Sequence, residues 1–176
     1  FAVQADTRDS IFFPKKGFYF NHKSSFQHGV FGSDFNYGRH ESDFRIFFGI
    51  IGDHVIAFQF KAKISHGDVP LRSLSGIGGD EIMRGYLENR FLDKTALAAQ
   101  AEYRFPVAWR FAGVFYASAG EVQESLRDYN GSDIHFAAGT GLRVIIDRQE
   151  HIAGRLDLGW DEEGNLSVYL IVKEAF

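Results

Sequence analysis

Apolar and polar residues alternate along almost the whole of this chain, and a period of two leaves room for β-strands and little else. Phe44, Ile46, Phe48 and Ile50 share one face of a segment in which Arg45 falls on the other. In the next segment Ile56, Phe58, Phe60, Ala62 and Ile64 are opposed by Gln59, Lys61 and Lys63. The pattern returns in Leu97, Ala99, Ala101, Tyr103 and Phe105 against Gln100, Glu102 and Arg104, and in Phe111, Gly113 and Phe115 against Arg110 and Tyr116. It continues with Phe136, Thr140, Leu142 and Val144 against His135 and Arg143, and with Leu156, Leu158 and Trp160 against Arg155 and Asp157. Phe18 and Phe20 open the series; Leu166, Val168, Leu170 and Val172 close it. A register slip of one residue would exchange the faces, so the pattern specifies which side of each strand is apolar. No helix of useful length competes with it.

The apolar face points either into a soluble barrel or out into lipid, and volume decides. An eight-stranded barrel has an interior just wide enough to be filled by side chains, and the 19 Phe residues would overfill it. The apolar face is therefore read as lipid-facing and the charged face as the lumen. Ala57, Ala98, Ala112, Ala137, Gly139, Gly141, Ala153 and Gly159 fall on the lumen side and leave room there for part of a loop. Short links at 51–54, 106–109 and 147–151 alternate with long ones at 27–39, 65–93 and 121–133, the asymmetry of outer-membrane barrels. Phe12, Phe13, Tyr103, Phe105, Trp109 and Phe176 would form an aromatic girdle at the short-turn end, with Trp160 near the other edge.

The reading is thus an all-β, antiparallel transmembrane barrel of eight strands over 18–176, preceded by a segment and turn at 1–17, with the loop at 65–93 outside and folding into the lumen. A chain of 176 residues suits one domain. Mean hydropathy is slightly negative, and no run approaches the roughly 18 apolar residues of a spanning helix. The absence of Cys excludes a disulfide scaffold or thiolate zinc site. A net charge of -4 gives no footprint for nucleic acid. With no signal peptide at Phe1, the chain reads as mature or truncated.

No catalytic residues, metal site or cofactor are expected. The histidines at 22, 28, 40, 54, 66, 135 and 151 show no metal-binding spacing and read as surface or girdle residues. Gly76-Ile77-Gly78-Gly79 lacks the Lys-Ser/Thr and helix of a phosphate loop and reads as a flexible loop stem. Ser24, Ser25, Ser73 and Ser75 have no His/Asp arrangement that spacing can demonstrate, so a hydrolase is unsupported. Asp34, Glu41 and Asp43, and likewise Asp161, Glu162 and Glu163, read as solvated loop charges.

One loop segment carries more: Gly78-Gly79-Asp80-Glu81-Ile82-Met83-Arg84-Gly85-Tyr86. Before it stand Asp6-Thr7-Arg8-Asp9 and Phe13-Pro14-Lys15-Lys16-Gly17; after it come Glu102-Tyr103-Arg104-Phe105-Pro106, Gly139-Thr140-Gly141-Leu142-Arg143, Arg155-Leu156-Asp157-Leu158-Gly159 and the terminal Phe176. In this order the segments resemble the C-terminal half of the barrel of BamA/TamA-like outer-membrane-protein assembly factors, the bacterial surface antigen family, over essentially the whole chain. The resemblance implies that the loop motif Gly78, Gly79, Arg84, Gly85 and Tyr86 folds back into the barrel, where Arg84 meets an acidic group. Glu102 and Asp157 are the lumen-facing candidates, with Arg104 and Arg143 beside them. Ser118 stands where the family has an aspartate, which throws more weight on Glu102.

Three functions follow. The first is assembly, insertion or translocation of outer-membrane proteins, without periplasmic delivery domains. The second is a C-terminal anchor or translocator barrel of a longer exported protein, such as a patatin-like lipase. The third is a small structural or ligand-binding barrel. Implied partners are membrane lipids, lipopolysaccharide and outer-membrane protein substrates or a larger assembly complex, at the bacterial outer membrane.

Overall fold

In a computed structural model, residues 1–11, 13–31, 34–147 and 152–172 are described. The strands are β1 (Ala2–Asp6), β2 (Gly17–Gln27), β3 (Tyr37–Gly49), β4 (Val55–Gly67), β5 (Ser75–Ile77), β6 (Phe91–Asp93), β7 (Thr95–Ala108), β8 (Phe111–Gln123), β9 (His135–Asp147), β10 (Ile152–Asp161) and β11 (Leu166–Ile171). Nine of them form one sheet in the order β1-β2-β3-β4-β7-β8-β9-β10-β11, while β5 and β6 pair inside the loop between β4 and β7. Every neighbour in the large sheet is antiparallel, so the chain is a meander of hairpins. No helix among the described residues is long and apolar enough to cross a membrane.

Among the described residues the strands do not close into the expected eight-stranded barrel. The N-terminal segment adds a ninth strand, pairing Ala2 with Lys23 through Asp6 with Tyr19, and so occupies the edge of β2 that would otherwise meet β11. Among the described residues the sheet is open, with β1 and β11 as its edges.

The two faces separate as the alternation requires. Phe58 and Phe60 are 45% and 44% exposed, whereas Gln59 between them is 2% exposed. Among the described residues nothing folds over the apolar face, which is therefore bare, and the charged face is covered by the 68–94 loop. That loop supplies most of the buried apolar cluster: Ile77, Ile82, Met83 and Tyr86 pack against Ala96, Ala98 and Ala137 of the sheet. The small wall residues make room for the large loop residues.

Several boundaries differ from expectation. Pro106 lies within β7 rather than in a turn, because a bulge between Pro106 and Ala108 tolerates its missing N–H. Strands β3, β4 and β8 run further into the long connections than their composition suggests. Ser75–Ile77 is a buried strand, not a flexible stem, since pairing with Phe91–Asp93 pins it. Glu41 and Asp43 sit on the charged face of β3, where Asp43 accepts from Arg45 and Gln59, rather than in a solvated loop. Phe12, the terminal Phe176 and most of the 147–151 turn lie outside the described residues, as does the side chain of Ala153.

Candidate functional site

The loop tip reaches the charged face by a backbone that side chains seldom adopt. Met83 has φ 58°, a left-handed conformation that costs a residue of this kind on the order of 1 kcal/mol. Complete burial of its side chain offsets that strain. Gly85 has φ 136°, and a Cβ there would stand 2.9 Å from the Trp160 carbonyl. On the facing strand, a Cβ at Gly159 would meet the Arg84 carbonyl oxygen at 2.6 Å and Gly85 N at 2.7 Å. Two glycines therefore let two backbones touch. Polar contacts then hold the tip: Tyr169 Oη donates to Tyr86 O at 2.7 Å, Ser167 Oγ to Gly85 O at 2.7 Å, and Tyr86 Oη to Phe136 O at 3.1 Å.

This placement drives Arg84, fully buried, into a cluster of charge. Its Nη1 donates to Asp157 at 2.8 Å and its Nη2 to Glu102 at 2.6 Å. The guanidinium carbon lies 3.6 Å from the centre of the Tyr116 ring, a cation–π contact that gains strength where water is absent. Arg104 Nε donates to the other oxygen of Glu102 at 2.6 Å. Arg143 binds Asp157 closely and lies 3.9 Å from Glu102. Arg155 spans Asp157 at 3.3 Å and Asp80 of the loop at 2.9 Å.

Four guanidiniums thus share two fully buried carboxylates and one half-buried one. An isolated buried charge costs several kcal/mol, so each carboxylate here serves as common counter-charge to several cations. A second tier of two glutamines and an ion pair supports the first. Gln100 donates to Gln59 at 2.6 Å and to Glu81 O at 2.7 Å, and Lys61 pairs with Glu81 at 2.7 Å.

The structure brings Arg84, Gly85, Tyr86, Glu102, Arg104, Arg143 and Asp157 together. Gly78 and Gly79, with φ 110° and 122°, lie at the neck of the loop, where Gly79 N donates to Tyr86 O at 3.2 Å. Ser118 stands apart, its Oγ donating to Ala137 O at 3.2 Å, and Asp157 of β10 supplies a carboxylate instead. Phe176 lies outside the described residues. Sequence reasoning missed Arg155, Asp80 and Tyr116 as members. Parity puts Arg155 and Tyr116 on the charged face, but only the fold shows which residues of that face meet the loop.

Towards the short-turn end, a cavity of about 200 Å³ lies below the cluster, lined by Arg104 and Arg143 with Phe13, Trp109 and Val114 among its walls. Among the described residues no group of three or more His, Cys, Asp or Glu side chains is placed to hold a metal ion. Chemically, the arrangement is a latch: it fixes a loop across the charged face and fills that face with paired ions.

The Omp85 superfamily domain matches residues 1–148, and the chain belongs to that superfamily, whose members are outer-membrane proteins. No curated protein matches the chain significantly. Arg155 and Asp157 lie beyond the matched residues, so their part in the latch rests on the fold alone.

Proposed function

We propose that this Omp85 superfamily chain forms the latched wall of an outer-membrane barrel that assists insertion or translocation of outer-membrane proteins. The observation that carries the reading is Arg84, held with no exposure between Glu102 and Asp157. The bare apolar face is matched to hydrocarbon and the long connections to the cell exterior. The same physics requires the edges of β1 and β11 to be completed in the membrane, because each unpaired backbone group costs several kcal/mol in hydrocarbon. Completion by further strands closes a barrel whose lumen the latched loop plugs. Substrate chains then engage at a seam or the locally perturbed bilayer, not through the plugged lumen.

The test uses the full-length protein in proteoliposomes presented with an unfolded outer-membrane protein. Folding of that substrate, followed by its heat-modifiable migration, should run several-fold faster than in empty liposomes. The Arg84→Ala variant should lose much of the acceleration and raise ion leakage. Substrate folding no faster than in empty liposomes would overturn the assembly reading.

A further inference from the structure

Strands β2, β3 and β4 carry a second polar network on the opposite, apolar face. His22, Ser24 and Phe26 share parity with Phe18 and Phe20, and register sets them beside Ser42, His40 and Gly38 of β3, with His66 of β4 opposite Gly38. This is the face of Phe44, Phe58 and Phe60, which are 39% to 45% exposed. Polar side chains there are expensive in lipid, and at membrane depth such groups mark functional sites by default. Histidines far apart in sequence have been collected into one place.

The geometry is that of an activated nucleophile. His22 Nε2 lies 2.9 Å from Ser24 Oγ, and His22 Nδ1 lies 2.9 Å from Ser42 Oγ on the next strand. His40 Nδ1 lies 2.8 Å from the same Ser24 Oγ. The His40 ring stacks on His22 and His66, with centroids 6.1 and 5.5 Å apart, which fixes its orientation. A hydroxyl has one proton to give. Of the two ring nitrogens that meet Ser24 Oγ, one accepts that proton and the other donates. With His22 as acceptor at Nε2, its Nδ1–H donates to Ser42 Oγ and His40 Nδ1–H donates to Ser24 Oγ, so every contact is satisfied. Nucleophile, base and base-orienting group then stand in the order acyl transfer requires.

We propose that Ser24, His22 and Ser42 form a serine hydrolase site that opens onto the bilayer and cleaves the carboxylic ester of a membrane lipid. The substrate class follows from location, and so rests on the membrane reading of the sheet. Ser24 lies three residues from the long-loop end of β2. At about 3.3 Å per residue and a tilt of about 45°, that is roughly 7 Å below the strand end, near the polar boundary of the leaflet. Ser24 is 8% exposed, and Phe26, two residues on along the same face, is 63% exposed with its ring edge-on to His40 at 5.6 Å, so an acyl chain meets that exposed ring beside the network.

In the reaction Ser24 Oγ attacks the ester carbonyl carbon while its proton passes to His22 Nε2. The C–O bond to the lipid alcohol breaks, and His22 returns the proton to that oxygen. Water, the second reactant, then attacks the acyl-serine with His22 taking its proton. The fatty acid leaves as Ser24 Oγ is reprotonated. Ser42 is a positioning residue that holds the ring, and His40 donates to the serine oxygen.

Outer-membrane vesicles bearing the full-length protein, treated with an alkyl fluorophosphonate and digested for mass spectrometry, should carry the adduct on Ser24. Hydrolysis of p-nitrophenyl laurate should fall on the order of a thousandfold in Ser24→Ala and His22→Ala. Ser24→Cys, which keeps the shape of the network, separates loss of chemistry from loss of fold and should also resist the phosphonate. Ser42→Ala should lower kcat at unchanged KM, and Ser42→Asn should restore it. Phosphatidylethanolamine vesicles and purified lipopolysaccharide, assayed separately for released fatty acid, distinguish the two ester sources. An unlabelled Ser24 with ester hydrolysis equal to that of Ser24→Ala overturns the site, and labelling without release from either lipid overturns the substrate. Neither readout depends on insertion of a protein substrate, so this proposal and the assembly reading fail separately.

Discussion

The two polar networks lie on opposite faces of one sheet, and they are built from different chemistry. On the inner face Arg84, Arg104, Arg143 and Arg155 share Glu102, Asp157 and Asp80. On the outer face His22, His40, Ser24 and Ser42 share hydrogen bonds between rings and hydroxyls. Neighbouring residues of β3 belong to different worlds: Glu41 faces inward, where it pairs with Arg39 at 2.6 Å, while Ser42 faces outward. Full charges are stable where a loop packs counter-charge against them. Groups that can be neutral are what an apolar face can hold.

The sharpest way to break that comparison is to remove one shared anion. Asp157 compensates three guanidiniums, so Asp157→Asn should cost about 3–5 kcal/mol, because it leaves buried cations without their partner. Ser42→Ala removes one neutral hydrogen bond and should cost only about 1 kcal/mol. Urea midpoints of the two variants in detergent, read by heat-modifiable migration, give the ranking. Equal losses would mean that the inner cluster is wet and its charges screened.

The cluster holds more cation than anion, and this makes its two kinds of partner unequal. Arg84→Ala leaves Glu102 with Arg104 and Asp157 with Arg143 and Arg155, so its cost should be smaller than that of Asp157→Asn, about 2 kcal/mol. Combined with Glu102→Gln, it should show a coupling of about 0.5–3 kcal/mol in a double-mutant cycle. Strict additivity would show that Arg84 and Glu102 are neighbours without energetic contact, and the ionic hold on Arg84 would then rest on Asp157.

Much of this is legible in the amino-acid sequence alone. The alternation located eight of the nine strands described in the large sheet and assigned each to its two faces, since parity is a local property that needs no knowledge of neighbours. The loop motif is legible through its resemblance to the family, and the two carboxylates because parity puts Glu102 and Asp157 on the charged face. Closure was not legible. Whether a sheet closes depends on what its edge strands meet, and the even strand count of outer-membrane barrels argues for eight strands with the strand-like 1–9 segment left beside them. The outer network was invisible for a related reason: His22, His40 and His66 become neighbours only once hairpin register is fixed, and spacing along the chain carries no trace of it.

Backbone contact offers a gentler perturbation of the inner face. Gly159→Ala directs a methyl at the Arg84 carbonyl and Gly85 N, both of them main chain that a rotamer change cannot clear. The expected cost is about 1–3 kcal/mol, with the loop tip lifted and ion leakage raised. Gly164→Ala makes the control, since a Cβ there has open space and only its φ of 85° opposes the change. Leakage from both variants alike would place the effect in general destabilisation rather than in the latch.

The smallest effect is expected at the rim, where a charged contact is exposed to water. Glu162, in the turn after β10, accepts from His135 Nδ1 at 2.7 Å, and that hydrogen bond holds its carboxyl below the usual glutamate range. A carboxyl lowered in the folded state stabilises above the usual glutamate value, and the contribution disappears as pH falls through the lowered one. Glu162→Gln should therefore shift the urea midpoint slightly at neutral pH, by less than about 0.5 kcal/mol given its exposure, and not at all in strong acid, where the two proteins should converge. Stacking of His135 on Phe91, with ring centres 3.6 Å apart, is indifferent to this substitution and should keep the ring in place. A large neutral-pH loss would mean that the rim shares the desolvation of the inner cluster, and the contrast between buried latch and wet surface would have to be redrawn further out.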